Sequence, residues 1–155
     1  MKVSQIFMLV ENINSNYEIY QNSGKSIKAS FSTPTQKFKM SFTMVKCWGP
    51  IEIESDKEVD DILFWEFSFG NIDTITGQLN YKPTGNGEQG YVLNNCYDFC
   101  KFFKKYHNPD KVGCTFVYQS QFKLYLRLLK RIWPEFIFKQ YINSDNDNYI
   151  IGSKR

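Results

Sequence analysis

Histidine and alanine each occur once in this chain of 155 residues, as His107 and Ala29, and arginine occurs only three times. His107 is the sole side chain whose ordinary pKa lies near neutrality, so acid–base catalysis has few groups to draw on. Four cysteines, Cys47, Cys96, Cys100 and Cys114, are few for this length and do not read as a disulfide framework. The opening segment from Met1 to Glu11 has too short an apolar run for a secretory signal and lacks a small-residue cleavage site. No stretch approaches the ~18 apolar residues needed to span a bilayer. Repeats, low-complexity tracts and obvious linkers are also missing. These shortages predict one domain, residues 1–155, cytoplasmic and reduced, not an enzyme, with no cofactor, no metal and no membrane contact.

What the chain has in quantity is rings: 14 Phe, 10 Tyr and 3 Trp, 17% of the sequence. Aromatic side chains dominate the energetics of cores and of binding faces. Charge is the second resource, and it is unevenly placed. Residues 1–50 carry six Lys and two Glu, a net +4. Residues 51–98 carry two Lys and ten acids, a net −8, and residues 99–155 return to +7. Segregation of this kind builds a two-poled field that steers and orients charged partners, unless the fold lays the poles side by side.

Periodicity places the elements. Val3, Ile6, Phe7, Val10 and Ile13 recur at helical spacing and predict a helix over 3–14. Tyr17 to Gln21 and Ser26 to Phe31 read as a hairpin around Asn22-Ser23-Gly24-Lys25, with continuation of the first helix to Gln21 as the competing reading. The clearest strand is 37–46, where Phe38, Met40, Phe42 and Met44 alternate with Lys37, Lys39, Ser41 and Thr43. Gly49-Pro50 breaks it, Ile51 to Glu54 alternates briefly, and Ser55-Asp56-Lys57-Glu58 has the form of a capping box opening one or two helical turns. Ile62 to Phe69 reads as a buried strand, and a strand near Ile75 to Tyr81 is a candidate partner for it. Asn94 or Asn95 is placed to cap a helix to Tyr106, with Cys96, Phe99, Cys100 and Phe103 inward. Cys114 to Tyr118 is a short strand. Ser120 opens a helix to Trp133 with the stripe Phe122, Tyr125, Leu126, Leu129, Ile132 and Trp133, stopped by Pro134. A closing hairpin joins Phe136–Ile142 to Asn148–Ile151. The expected fold class is α+β, an antiparallel sheet with about three helices packed on it.

Motifs that imitate chemistry fail on context. Gly85-Asn86-Gly87-Glu88-Gln89-Gly90 has the spacing of a dinucleotide-binding loop, but no strand–helix–strand unit surrounds it, so Thr84 to Gly90 reads as a loop. Cys96, Cys100, His107 and Cys114 could supply four zinc ligands, though the helical cysteines share the apolar stripe of Phe99 and Phe103. Neither Cys100 nor Cys114 is marked as a thiolate activated by His107. Asp145-Asn146-Asp147-Asn148 starts like a calcium loop but lacks its later glycine and glutamate, and reads as a turn. Glu52, Glu54, Asp56, Glu58, Asp60, Asp61 and Glu66 could hold magnesium for a small metal-dependent enzyme, but they lack the carboxylate–x–Lys pattern of a nuclease and read as a solvated acidic face.

Two surfaces remain as candidate partner-binding sites. One is the acidic run Glu52, Glu54, Asp56, Glu58, Asp60 and Asp61. The other is the cationic helix face Lys123, Arg127, Lys130 and Arg131, with Lys101, Lys104 and Lys105 as a second basic patch on the preceding helix. Nothing in the sequence places aromatic platforms beside these lysines. In size, Lys/Asn/Ile-rich usage, ring content, charge polarity and want of catalytic motifs, the chain resembles small phage and mobile-element proteins of low-GC Gram-positive bacteria, among them anti-CRISPR inhibitors of host defence. The resemblance is one of type and carries over no site residues. It implies a non-catalytic, stoichiometric inhibitor in the host cytoplasm that docks on a larger protein, such as a CRISPR nuclease or its nucleic-acid complex. The alternative is a nucleic-acid-binding accessory protein using the basic helical face.

Overall fold

The computed structural model describes residues 17–72, 79–80 and 89–155. The expected helix over 3–14, residues 75–78 and 81 of the expected strand near 75–81, and the first four residues of the glycine pattern over 85–90 lie outside those residues. The chain divides into two compact units. Unit 1 takes the residues up to Phe42 together with Ser68–His107, and unit 2 takes Thr43–Phe67 with Asn108–Arg155.

Unit 1 contains β1 (Tyr17–Asn22), β2 (Ser26–Ser32), the first part of β3 (Lys37–Cys47), the last part of β6 (Ile62–Ile72), β7 (Leu79–Asn80) and α1 (Gln89–His107). The strands lie in the order β1-β2-β3-β6, with β7 antiparallel to β6. Both hairpin turns rest on a hydroxyl at the first position. The Ser23 Oγ accepts the Ser26 N–H at 3.1 Å, and the Thr33 Oγ1 accepts the Gln36 N–H at 3.0 Å. Such side-chain turns replace the ladder where the chain reverses. The competing helical reading of Tyr17 to Gln21 is excluded: these residues pair antiparallel with β2, Tyr17 against Phe31 and Ile19 against Ala29.

Strict alternation gives this sheet an inner face of Tyr17, Ile19, Ile27, Ala29, Phe31, Phe38, Met40 and Phe42, all buried. The helix α1 lays its own rings there. Phe42 stacks on Phe103 at 3.8 Å between centroids and tilts against Phe99, while Tyr17 meets Phe99 edge-on at 5.8 Å. Cys96 and Cys100 are buried on the same helix, acting as small apolar fillers. The helix begins at Gln89, so Asn95 is no cap: its Nδ2 donates to the Tyr91 carbonyl at 3.0 Å, inside the helix. Gln89 and Gly90 are therefore helical, not loop.

Unit 2 contains the rest of β3 and β6, β4 (Ile51–Glu52), β5 (Lys57–Glu58), β8 (Lys111–Phe116), α2 (Gln119–Ile132), β9 (Phe136–Ile142) and β10 (Asn148–Lys154). Its strand order is β3-β6-β8-β10-β9-β4-β5. The expectation of an antiparallel sheet with about three helices is corrected on two counts. β6 and β8 pair in parallel, Trp65 against Val112 and Glu66 against Gly113, so the sheet is mixed. The described residues hold two helices, α1 and α2. Parallel neighbours need a long crossover, and the chain from β6 to β8 supplies one through β7 and α1.

The strand order forces this sheet to curl. β3 and β4 stand five strand steps apart, ~24 Å if the sheet were flat. The link from Cys47 to Ile51 reaches at most ~14 Å. The sheet therefore bends until its ends approach. Cys47 of β3 packs with Ile62, Phe64, Tyr149 and Ile151 inside the curl, with Val45 and Tyr141 against them. Gly113 is required at this bend, since a Cβ there would overlap the Ile150 carbonyl and press on the Phe64 ring. The opposite face is covered by α2 through Tyr125, Leu129 and Ile132, with Tyr125 edge-on to Phe67 at 6.5 Å. The Gln121 Oε1 accepts the N–H groups of Val117 and Tyr118, both at 3.0 Å, and so fixes the start of α2.

Candidate partner-binding surface

The acidic run does not form a helical turn. Ser55 and Asp56 lie in the turn between β4 and β5, Asp56 takes a left-handed φ of 54°, and Lys57–Glu58 pair back as β5. Two acids are engaged within unit 2. The Glu52 carboxylate holds the Lys139 ammonium at 2.8 Å and accepts the Ser55 hydroxyl at 2.7 Å. These hydrogen bonds hold its pKa below the usual value. The Asp61 Oδ1 accepts the Gly49 N–H at 2.8 Å, which pins a turn where Gly49 has φ +58°. Glu54, Asp56, Glu58 and Asp60 remain exposed along the hairpin and the loop after it.

Among these acids the structure sets apolar side chains that sequence reasoning missed. Trp48 is 59% exposed, Ile53 44% and Val59 37%. The Val59 N–H donates to the Pro50 carbonyl at 3.0 Å, and the Ile53 N–H to Gln140 at 2.9 Å, so the backbone carrying them is anchored. The Lys46 ammonium sits 4.5 Å from the Trp48 ring centroid, which shows that this ring already receives a cation. The available signal was Trp48 immediately before Gly49-Pro50: a large ring on a turn has little to bury against.

The cationic residues Lys123, Arg127, Lys130 and Arg131 fall on α2 as expected, all exposed and opposite the buried stripe. On α1 the basic patch differs from the sequence reading, because rings do accompany its lysines. The Lys101 ammonium lies 5.3 Å from the Tyr97 ring centroid and that of Lys105 lies 5.7 Å from Tyr106.

The imitative motifs resolve into structure. His107 stacks on Phe103 at 4.8 Å, and burial lowers its pKa. The four cysteines are buried thiols. Burial pushes the Cys47 thiol up to about 11 and raises Cys96 and Cys114 as well. Thiols so placed stay protonated at neutral pH and make poor nucleophiles. Among the described residues no three of His, Cys, Asp and Glu are gathered closely enough to hold a metal ion. Asp145 to Asp147 form the β9–β10 turn, where the Asn143 Oδ1 accepts the N–H of Asp145 at 3.0 Å and of Asp147 at 2.8 Å. Among the described residues no helix is long and apolar enough to cross a membrane.

The β4–β5 hairpin and its flanks thus combine an anchored backbone with an exposed Trp, two exposed aliphatic side chains and exposed carboxylates. Comparison with protein families, with curated proteins and with solved structures returned no match.

Proposed function

We propose that the protein is a non-catalytic binding module. The β4–β5 hairpin and its flanks dock on a basic surface of a larger protein. The observation that carries this reading is the exposure of Trp48, Ile53 and Val59 among Glu54, Asp56, Glu58 and Asp60. Interface energy concentrates in a few buried rings surrounded by polar contacts that exclude water. Here Trp48 supplies the ring and the acids supply the border. An arginine-rich partner gains from both, by stacking on the indole and pairing with the carboxylates. A surface built to hold nucleic acid has that composition, so occupation by this hairpin would block it. The mode of action is that of a stoichiometric inhibitor of a nucleic-acid-processing enzyme, as in the anti-CRISPR-like proteins the sequence resembles.

The test is affinity capture from a low-GC Gram-positive lysate, with and without nuclease treatment, using three versions of the chain. The natural chain is expected to retain a protein after nuclease treatment. Trp48→Ala with Glu54→Lys and Asp60→Lys is expected to lose it, with at least a 30-fold weaker affinity for the purified partner, the scale of a ring hot spot of about 2 kcal/mol. Reversal of Lys123, Arg127 and Lys130 to Glu is expected to leave capture intact. Retention by the hairpin variant, or loss of every partner on nuclease treatment, would overturn the reading and favour nucleic-acid binding through α2.

A further inference from the structure

We propose that the outward face of β1, β2 and β3 in unit 1 binds single-stranded nucleic acid, with Tyr20 stacking a base and Lys28, Lys37 and Lys39 holding phosphates. This surface belongs to unit 1, and the proposal does not depend on the reading given for the hairpin of unit 2.

The face is defined by its reverse. Phe31 and Phe38 stack at 5.1 Å, and Phe42 stacks on Phe103 of α1, so the even positions of β3 and the odd positions of β2 point to the helix. Lys28, Ser30, Lys37, Lys39 and Ser41 then share the other side. On β1 the register shifts between Ile19 and Gln21. Tyr20 is thereby an extra residue in the ladder. Ile19 stays buried, while Tyr20 and Gln21 both turn outward. Alternation from the buried Tyr17 and Ile19 places Tyr20 outward, and the bulge turns Gln21 to the same side, so an aromatic ring joins a face that otherwise carries cations and hydroxyls. Tyr20 is 47% exposed, and the Lys39 ammonium lies 5.7 Å from its ring centroid.

Charge and chemistry select the occupant. Among the outward residues of these three strands the acid is Glu18, against three lysines. Serine hydroxyls donate to phosphate oxygens. An exposed ring beside lysines is the recurrent combination of single-strand binders, because every base offers a π face and every linkage a charge. A duplex hides its base faces, and a polyglutamate chain has no ring to stack, so neither exploits Tyr20.

The experiment is fluorescence anisotropy of a labelled 12-nucleotide oligothymidine titrated with the full chain from 50 to 200 mM NaCl. Neutralisation of three phosphates predicts a log–log salt slope of about −2, hence a loss of about 16-fold across that range. Tyr20→Ser is expected to weaken binding about 5- to 150-fold, the scale of one base stack, while Tyr20→Phe retains it. Lys28→Glu with Lys37→Glu and Lys39→Glu is expected to abolish it, while reversal of Lys123, Arg127 and Lys130 on α2 changes it less than twofold. Circular dichroism of each variant checks that the sheet persists. The proposal fails if the oligonucleotide does not bind at 50 mM NaCl. It also fails if Tyr20→Ser binds as Tyr20→Phe does, if reversal on α2 removes binding, or if a 12-base-pair duplex or a polyglutamate peptide competes as well as the single strand.

Discussion

Beneath α1, unit 1 buries rings against rings: Phe42 on Phe103, Tyr17 on Phe99, Phe31 beside Tyr91. Inside the curl of unit 2 the apolar cluster is joined by polar groups. Asn143 donates to the Tyr149 hydroxyl at 3.2 Å, and at the margin the half-buried Glu66 accepts the hydroxyl of the exposed Thr115. The difference follows from how each sheet is covered. A helix brings its own side chains and closes one face of an open sheet mostly with apolar area, its buried Asn95 being satisfied within the helix by the Tyr91 carbonyl. A sheet that folds over on itself must also satisfy the turn that closes it, and the β9–β10 turn is held by Asn143. Unit 1 should therefore be sensitive to lost volume, and unit 2 to lost hydrogen bonds and to pH.

The sharpest way to break this contrast is Phe103→Ala. Removal of a fully buried ring stacked on Phe42 is expected to cost about 3–5 kcal/mol, read as a fall in the urea midpoint. A loss under about 1 kcal/mol would show that the α1 interface is loosely packed. The second is Asn143→Ala in unit 2. It strips two backbone N–H groups and the Tyr149 hydroxyl of their partner, and is expected to cost about 1–2 kcal/mol. A cost equal to that of Phe103→Ala would erase the proposed division between volume and polar closure.

The smallest effect is a pH dependence. Burial raises the Glu66 pKa, and the Thr115 hydrogen bond opposes this only in part. A carboxyl with a raised folded pKa favours the folded state while protonated. That contribution is present below the ordinary carboxylate pKa and is lost as pH rises through the elevated value. Glu66→Gln removes the dependence. Relative to the natural chain, the variant is expected to gain stability between pH 4 and pH 7, measured by urea midpoints at both. A constant difference across that range would show that Glu66 is solvated.

Much of unit 1 was legible because its signals are local. Phe38, Met40 and Phe42 alternate with Lys37, Lys39 and Ser41, and the turns carry Ser23 and Thr33 at their first positions. The α2 stripe was equally plain, since Tyr125, Leu129 and Ile132 follow the helical period. Unit 2 was less legible because its pairing is non-local. Ser55 to Glu58 satisfy a capping box letter for letter, yet Ile51 and Glu52 pair with Ile142 and Tyr141, and that distant strand decides between helix and hairpin. The parallel match of Trp65 to Val112 leaves no local trace either. Of the candidate surface, the acids were visible as a run of charge. Trp48, Ile53 and Val59 were not, because exposure of an apolar residue is a property of the fold and not of its neighbours in sequence. Tyr20 escaped for a related reason: alternation sets it opposite Tyr17 and Ile19, but the Lys39 ammonium beside its ring comes from β3, which is distant in sequence.

The four shielded thiols give each unit an internal reporter. Cys96 and Cys100 belong to unit 1, Cys47 and Cys114 to unit 2. A thiol reagent in solution can modify them only when the surrounding structure opens, so the rate of labelling at each position measures the local opening free energy there. Mass spectrometry of the labelled chain would follow the two units separately in one tube, without any engineered probe.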